Sequence, residues 1–272
     1  MSPALVRRDR SGAQPNNGWP SGADVDHHRR VSFDFEEVFG EDYLYFYASQ
    51  LTDERSDREA DEIMSLLGLQ GGETVLDAPC GHGRISNRLA HRGIHVVGVD
   101  ASTPFLDVAR QAGAEVDYRR GDLRELPVDG PFDAAVSWFT SFGYFDDDGN
   151  RQVLSEYRRV LRPGGRLLLE TQNHDEFVRR FTPAPFSHGV QVNDDLMIDT
   201  STFDCLTGRV EADRIVIRDG GVRRMHLSVG LPTIPELRVW LADAGFAASV
   251  FRARDGGVPA IDNPRLVVLA TA

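Results

Sequence analysis

The sequence predicts an α/β protein with a doubly wound parallel sheet and an inserted antiparallel β-segment. From residue 73 to residue 173, short apolar runs alternate with stretches of helical periodicity, which is typical of βαβ units. After residue 174 the pattern changes to strands separated by turn residues, which indicates antiparallel hairpins. One more helix and two short apolar strands close the chain. These three observations predict the fold class.

The first 70 residues predict two segments that precede the sheet. Residues 1–30 are rich in Gly, Pro, Asn, Ser and charged residues and have no periodicity, which predicts a disordered tail. Residues 31–70 predict a helical segment. Its second half reads as an amphipathic helix, because apolar residues recur at helical spacing at Ile63, Leu66 and Leu67.

Three tyrosines, Tyr43, Tyr45 and Tyr47, lie within five residues in the first half of that segment. Core packing alone does not require their hydroxyl groups. Two interpretations therefore stay open. The stretch is either a helix or turn that packs on the domain, or a lid that places these rings against a bound substrate.

Residues 71–190 and 232–272 predict the main sheet and its helices. The predicted strands are TVLDAP, HVVGVDAS, VDYRRGDL, FDAAVSWF and RLLLETQN, followed at the end of the chain by SVFRAR and PRLVVLATA. The predicted helices are ISNRLAHRG, TPFLDVARQAG, DDDGNRQVLSEYRRVLRPGG and PTIPELRVWLADAGF. Pro163 and the two glycines after it are expected to end the third of these helices.

Residues 191–231 predict an inserted small antiparallel sheet. Its strands are LMIDTSTFD, GRVEADRIVIRDGG and VRRMHLSVG, and Asp219, Gly220 and Gly221 are residues that a tight hairpin turn favours. We expect this sheet to cover the substrate or to form a contact between copies of the chain. A homo-oligomer therefore stays open.

Composition excludes several classes of partner. The formal charge of −12 and the pI near 5.1 argue against nucleic acid, since binding to phosphates needs clustered Lys and Arg. No stretch approaches the roughly 18 to 20 apolar residues of a membrane span, and the N-terminus lacks the apolar core of a secretory signal. Cys80 and Cys205 cannot build a disulfide framework. We expect a cytoplasmic protein with a small-molecule substrate.

The stretch VLDAPCGHGRIS, residues 75–86, carries the most chemical information. Cys80 and His82 look reactive. A nucleophilic cysteine, however, needs a neighbouring base and an oxyanion site, and a metal needs three or four ligands. Neither pattern is present in the sequence, so we predict no metal site and interpret both side chains as filling the loop. Arg84 is interpreted as an early helix residue.

Three acids follow three successive predicted strands. Asp77 ends the first, Asp100 ends the second 23 residues later, and Asp122 follows the third. A carboxylate at the end of the second strand is placed to accept both hydroxyls of a ribose, and Gly81 lets a ligand approach the backbone. A dinucleotide-binding loop would have a third glycine where Ser86 stands, which disfavours a nicotinamide cofactor.

Together these motifs resemble the class I S-adenosylmethionine-dependent methyltransferases. DAPCGHG is similar to the acid-x-x-x-Gly-x-Gly loop of that family, GVDAS to its ribose-binding acid, GDLRELP to its adenine-flanking segment and LRPGGRLLLE to its late helix-to-strand turn. The resemblance covers about residues 60 to 272. The run WFTSFGYFDDD is similar to that of small-molecule N-methyltransferases, including those acting on sugar amines and lincosamide-type antibiotics in actinobacteria.

The resemblance implies a Rossmann-like methyltransferase fold and S-adenosyl-L-methionine as the cofactor. The residues it implies in cofactor binding are Asp77, Ala78, Gly81 and Gly83 at the methionine part, Asp100 and Ala101 at the ribose, Asp122 and Leu123 at the adenine, and Ser137, Trp138 and Phe139 near the sulfonium.

Methyl transfer from a sulfonium is an in-line displacement, which needs alignment, exclusion of water and, for some acceptors, removal of a proton. We expect the residues Tyr43, Tyr45, Tyr47, Phe139, Tyr144 and His174 to contact the substrate. Among these, His174 and Tyr144 are the catalytic candidates. His226 could instead pack on a sheet face, and Asp146–Asp148 are explained as a helix cap.

The expected reaction is N-methylation of a small molecule in natural-product biosynthesis. Two alternatives stay open: O-methylation of a small molecule, and a protein that binds the cofactor but catalyses a non-methylating reaction such as a cyclisation.

Overall fold

The computed structural model describes residues 35–181 and 185–272. The tail predicted at residues 1–30 lies outside this part of the chain. The described residues form one seven-stranded sheet and one four-stranded sheet, with helices on both faces of the first. The predicted fold class is confirmed.

The parallel part of the large sheet consists of five strands. They are β1 (Thr74–Asp77), β2 (His95–Asp100), β3 (Val116–Arg120), β4 (Phe132–Ser137) and β5 (Leu161–Gln172). Two later strands, β10 (Ala248–Ala253) and β11 (Arg265–Thr271), extend it with antiparallel pairing. The spatial order is β10-β11-β5-β4-β1-β2-β3.

This order places the candidate site. Strand β1 pairs in parallel with β2 on one side and with β4 on the other, so the chain reverses its winding direction at β1. In an open α/β sheet a ligand binds in the crevice outside the carboxyl ends of the strands at such a point. Fully buried residues of β1 and β4 belong to a core on each face of the sheet, Leu76 and Ala135 on one face and Val75 and Ala134 on the other.

Predicted and observed helices agree closely at α3 (Asp53–Leu67), α4 (Ser86–His91), α5 (Thr103–Gln111), α6 (Asp147–Val160) and α8 (Ile234–Asp243). Helix α7 (His174–Phe181), which follows β5, was not predicted. The predicted cap of α6 is present, since Asp146 accepts a hydrogen bond from the Gly149 N–H. At the start of α8, Thr233 forms a capping box with Glu236. Helix α6 ends at Val160, ahead of Pro163, because β5 already begins at residue 161.

The inserted sheet is antiparallel as predicted, but it has a fourth strand. Its strands are β6 (Phe186–Val192), β7 (Asp195–Asp204), β8 (Arg209–Arg218) and β9 (Gly221–Gly230). Strand β6 precedes the predicted start at residue 191; it is an edge strand with no buried residue, so its sequence shows little apolar alternation. The hairpin turn is confirmed, because Asp219 and Gly220 have φ values of 54° and 71°, as a primed turn requires.

The N-terminal segment packs against the inserted sheet. It contains α1 (Phe35–Val38) and α2 (Glu41–Tyr47), whose Val38 and Phe46 are buried among residues of that sheet, including Met197 and Leu227. Asp42 of α2 also forms ion pairs with arginines of β8 and β9. No helix in residues 35–181 or 185–272 combines the length and the apolar character needed to cross a membrane.

Candidate active site

One cavity lies at the carboxyl ends of β1, β2 and β4, where the topology predicts a ligand site. It encloses about 1030 Å³ of space not filled by protein atoms, part of it open to solvent. One side, here named the loop wall, is formed by Asp77, Gly81, Asp100, Ala101, Asp122 and Leu123. Eight rings form what we name the aromatic wall: Phe35, Phe39, Tyr43, Phe105, Trp138, Phe139, Tyr144 and Phe145.

Asp77 ends β1 and is buried beside the first residue of α4. Its Oδ2 accepts a hydrogen bond of 2.5 Å from the Ser86 hydroxyl. Burial raises the pKa of Asp77 to about 7, although the Ser86 hydrogen bond and the charge of Arg84 act to lower it. The carboxyl group is therefore poised to change its protonation state near neutral pH.

Asp100 connects three elements around the cavity. Its two carboxylate oxygens accept hydrogen bonds of 2.8 Å from the backbone N–H groups of Gly81 and Ser102. The Ser102 hydroxyl in turn donates to the Phe39 carbonyl at 2.6 Å. Burial raises the pKa of Asp100, and these backbone donors oppose the shift. The acid at the end of β2 thus fixes the glycine loop and, through Ser102, the N-terminal segment.

The two glycines of the loop have different positions. Gly81 has a φ of 56°, lines the cavity and has room for a Cβ, whose nearest neighbour would be Phe105 at 3.8 Å. Gly83 has a φ of 75° and does not line the cavity. A Cβ there would lie 2.7 Å from the Ala109 Cβ and would also overlap the Tyr118 hydroxyl. Gly83 therefore permits close packing behind the loop, whereas Gly81 faces the ligand space.

Cys80 and His82 line the cavity without the partners that catalysis would need. Burial raises the pKa of the Cys80 thiol well above its ordinary value, and burial lowers the pKa of His82 to about 4. The thiol is thus protonated and the imidazole neutral at pH 7. Among the described residues no group of three or more His, Cys, Asp or Glu side chains could hold a metal ion.

Asp122 and Leu123 line the far end of the loop wall. The carboxylate of Asp122 accepts hydrogen bonds from the Arg124 side chain, the shortest of 2.7 Å, and one from the Arg124 backbone N–H at 2.8 Å. The Arg124 side chain is the main reason why the pKa of Asp122 is lowered. Asp122 is therefore ionised and already paired at neutral pH.

The chain bends sharply after β4. Phe139 and Thr140 have φ values of 66° and 58°, a left-handed conformation that costs energy for residues with a Cβ. Glu170 of β5 holds the bend, since its Oε2 accepts from the Phe139 N–H at 2.9 Å and its carbonyl from the Thr140 N–H at 3.1 Å. The bend directs the Phe139 ring into the cavity wall.

A partly buried charged cluster supports this bend and was not foreseen from the sequence. Its members are Glu59, Glu62, Glu170, Arg55, Arg84, Arg254 and Arg265. Burial alone would raise the pKa of Glu59, but the charge of Arg84 and hydrogen bonds from arginines lower it to about 2. One signal was available: Glu59 lies four residues before Ile63, on the buried face of α3.

The hydroxyl groups of the aromatic wall stay protonated. Tyr43 and Tyr144 both pack edge-on against Phe39, with ring centroids 5.6 Å and 5.4 Å away. Burial raises the pKa of Tyr43 to about 12 and raises that of Tyr144 further. These phenols can donate or accept a hydrogen bond, but they are poor sources of a phenolate.

Several predicted site residues do not line the cavity. Ala78 and Ser137 are fully buried behind it. The Tyr45 hydroxyl donates to the Val192 carbonyl at 3.3 Å, and Tyr47 lies behind Tyr43, stacked at 4.5 Å. Tyr45 lies on a different face of α2 from Tyr43, whereas Tyr47 lies one turn further along the same face, and both pack against the inserted sheet.

The two candidate histidines also lie away from the cavity wall. His174 begins α7, where its Nδ1 is 2.9 Å from Asp175 and its ring packs edge-on against Phe203. His226 lies on an exposed face of the inserted sheet, between Asp213 and Glu211. The structure therefore gives the expectation of a base at His174 no geometric support.

The comparisons with known proteins agree with this geometry. A family model described as "Methyltransferase domain" matches residues 75–165, which include the glycine loop, Asp100 and Asp122. The chain is 30% identical over 203 residues to the cypemycin N-terminal methyltransferase of a Streptomyces species, which covers 73% of this chain and 83% of the relative.

Two solved structures share the fold. The CcbJ methyltransferase from Streptomyces caelestis superposes with a TM-score of 0.70 at 19% identity, over 89% of this chain and 98% of that one. CalS10 with bound S-adenosylmethionine, an amino pentose methyltransferase from Micromonospora echinaspora, gives 0.61 at 20% identity, over 85% and 97%. With the loop, the acids and the strand order, these findings show that the chain belongs to the class I methyltransferases and is an enzyme that uses S-adenosyl-L-methionine.

Proposed function

We propose that this enzyme transfers the methyl group of S-adenosylmethionine to an amine nitrogen of a small molecule. The observation that supports it best is the lack of an available base among the described residues that line the cavity. A neutral amine brings its own lone pair, whereas a hydroxyl acceptor needs a base to remove its proton.

Each potential base on the cavity wall is already engaged or too weak. Asp100 accepts two backbone N–H groups, and Asp122 is paired with Arg124. Asp77, with a pKa of about 7, has the proton affinity of a base, but it accepts from Ser86 and we propose that it binds the methionyl end of the cofactor, which keeps it from the acceptor. His82 has a pKa of about 4 and retains little proton affinity at pH 7. These residues leave no base to deprotonate the acceptor, so the site suits an acceptor that binds as the free amine.

The loop wall fits the cofactor. Gly81 leaves open space beside its backbone, and Asp100 presents a buried carboxylate at the end of β2. We propose that Asp77 binds the methionyl end, Asp100 and Ala101 the ribose, and Asp122 and Leu123 the adenine. When bound, the cofactor supplies a methyl group on a sulfonium.

The aromatic wall would then align the acceptor and exclude water from it. Rings within about 6 Å of a cation stabilise it through their faces by roughly 0.5 to 2 kcal/mol. Positive charge moves from sulfur to nitrogen during the transfer, so rings beside both atoms stabilise the charge throughout. We propose that Phe139 lies beside the sulfonium and that Tyr43 and Tyr144 contact the acceptor, with Tyr144 orienting it by a hydrogen bond. Excluding water strengthens each of these contacts.

The family name alone leaves the acceptor atom open. The relative named as the cypemycin N-terminal methyltransferase supports nitrogen as the acceptor and natural-product biosynthesis as the setting. A cavity bounded by eight rings is also suited to a small molecule.

The test uses matched pairs of aromatic acceptors that differ only in an amine or a hydroxyl at one position. Purified enzyme is incubated with S-adenosylmethionine, and mass spectrometry follows S-adenosylhomocysteine and a product heavier by one CH₂. We expect kcat/KM for the amine to exceed that for the hydroxyl by at least about 100-fold, a difference of about 3 kcal/mol. Mass spectrometry of ligands that co-purify with the protein supplies further acceptors.

Asp100→Asn serves as the control that weakens cofactor binding for every acceptor. Equal turnover of both members of a pair would overturn the assignment to nitrogen, and preferred turnover of the hydroxyl would replace it with O-methylation.

A further inference from the structure

Arg84 lines the cavity, and the donors of its guanidinium group are only partly satisfied. Its side chain is 9% exposed and belongs to the cavity wall. Its Nη1 lies 2.5 Å from Glu59 Oε2, but its Nη2 is buried and has no hydrogen-bond partner among the described residues. A buried guanidinium group normally satisfies its donors, so an orphaned one beside a cavity points to a ligand that is an acceptor.

The charged cluster around Arg84 also contains more cations than anions. Four guanidinium groups meet three carboxylates in it: Arg55, Arg84, Arg254 and Arg265 with Glu59, Glu62 and Glu170. Glu59 is shared by three of these arginines, so it cannot fully neutralise any one of them. An anion in the cavity would balance the excess positive charge of this partly buried cluster.

The arrangement of the loop indicates which anion fits. Asp77 begins the loop and Arg84 ends it, and both line the same cavity on either side of Gly81. A buried carboxyl group and a buried guanidinium group at the two ends of a short loop match the ammonium and carboxylate of an α-amino acid. The methionyl end of the cofactor has this head group.

We propose that Arg84 is a carboxylate-binding residue of the cavity, with the methionyl carboxylate of the cofactor as its preferred partner. This inference rests on the proposed use of the cavity for cofactor and acceptor. A carboxylate on the acceptor has the same chemistry, and the experiment separates the two sources.

The test measures equilibrium binding without turnover. Calorimetry compares three probes: S-adenosylhomocysteine, its carboxyl methyl ester, and 5′-methylthioadenosine, which lacks the amino-acid head group. In the wild-type enzyme, S-adenosylhomocysteine should bind about 10- to 100-fold more tightly than the ester, as expected for a hydrogen-bonded ion pair. In Arg84→Met this preference should fall to less than about 3-fold.

Three controls separate binding from folding. Arg55→Met removes a second arginine that contacts Glu59 and lies over the Phe139 ring, but Arg55 does not line the cavity, so the preference should persist. Binding of 5′-methylthioadenosine should be unchanged in Arg84→Met, which shows that the adenosyl site is intact. Arg84→Lys should restore part of the preference, because lysine keeps the charge but not the two-pronged geometry.

A second arm tests the acceptor as the source. Benzoate is titrated into enzyme saturated with S-adenosylhomocysteine. If Arg84→Met leaves the ester preference intact but abolishes benzoate binding, the carboxylate belongs to the acceptor. If neither changes, or if 5′-methylthioadenosine binding is lost equally, the proposal is overturned. Neither arm depends on the acceptor atom, so failure here leaves the N-methylation proposal standing.

Discussion

The Ser86 hydroxyl lies 2.5 Å from Asp77 Oδ2, and both side chains are buried at the start of α4. Ser86 stands where a dinucleotide-binding loop has its third glycine. Ser86 thus disfavours a nicotinamide cofactor and also donates the hydrogen bond that lowers the pKa of Asp77. Burial has the larger effect and raises this pKa to about 7.

Cofactor affinity should depend on pH through Asp77. The ammonium group of S-adenosylhomocysteine competes with a proton for the carboxylate, so affinity should rise with pH through about 7 and then level off. Ser86→Ala removes a donor that favours the ionised form, which should move this midpoint upward by about 1 unit and weaken binding at pH 7 roughly 3- to 10-fold. Calorimetry between about pH 6 and pH 8.5 measures both effects. An affinity independent of pH would contradict the role given to Asp77.

Asp77 should also destabilise the cofactor-free fold at high pH. Its folded pKa of about 7 exceeds the unfolded value of about 3.9, so the folded state binds more protons between these values. The free energy of unfolding should therefore fall as pH rises from about 4 to about 7 by a few kcal/mol, at about 1.4 kcal/mol per unit. Asp77→Asn should remove this loss and raise the melting temperature at pH 8 relative to the wild type. Asp122→Asn, whose pKa is lowered, should show a smaller effect of opposite sign.

The two loop glycines should respond differently to alanine. At Gly83 a Cβ would lie 2.7 Å from the Ala109 Cβ, so Gly83→Ala should cost about 2 to 4 kcal/mol of stability. At Gly81 only the left-handed backbone conformation opposes the change, which costs roughly 1 kcal/mol, and the main loss should be in cofactor affinity. Thermal unfolding and calorimetry of both variants separate the two effects, and equal stability losses would refute the distinction.

The N-terminal segment both packs on the fold and covers the cavity, so the two interpretations of Tyr43–Tyr47 are not exclusive. Phe46 is fully buried, and a deletion of the segment would therefore confound folding with function. Asp42→Asn is a finer test, because Asp42 joins α2 to Arg218 and Arg223 at 2.9 Å and 2.6 Å.

We expect Asp42→Asn to cost about 1 kcal/mol of stability and to raise the acceptor KM several-fold, with cofactor affinity changed less. Glu41→Gln is the matched control on the same helix. A loss of stability without a change in KM would show that this segment only packs.

His226 should stabilise the inserted sheet at low pH. Its Nδ1 is 2.9 Å from Asp213 and its Nε2 is 2.8 Å from Glu211, and the Asp213 hydrogen bond is the main reason why its pKa is raised. The contribution is complete below the unfolded pKa of about 6.5 and is lost as pH rises through the folded pKa. The side chain is 56% exposed, so the difference should stay below about 1 kcal/mol.

Urea unfolding of His226→Gln and the wild type at about pH 5.5 and pH 8.5 measures this contribution. His188→Gln on β6 is the control. A larger contribution from His226 at the higher pH would refute the assignment.

Sequence reasoning found the helices and strands of the main sheet, the hairpin at Asp219 and the loop wall. These features depend on residue periodicity, turn chemistry and acids at strand ends, which are local properties of the chain. The same reasoning missed β6, because an exposed edge strand has no apolar pattern to reveal it.

The sequence by itself determined the fold class, the strand-ending acids and the cofactor. Only the tertiary structure decided which side chains share the cavity. It brought Arg84 and Phe139 to the wall, left His174 outside it and placed Gly83 behind the loop. The contacts that fix these positions join residues far apart in the chain. Arg254 and Glu59, for example, are 195 residues apart. The periodicity of apolar residues shows which face of a helix or strand is buried. Only the packing of the folded chain decides which other element contacts that face.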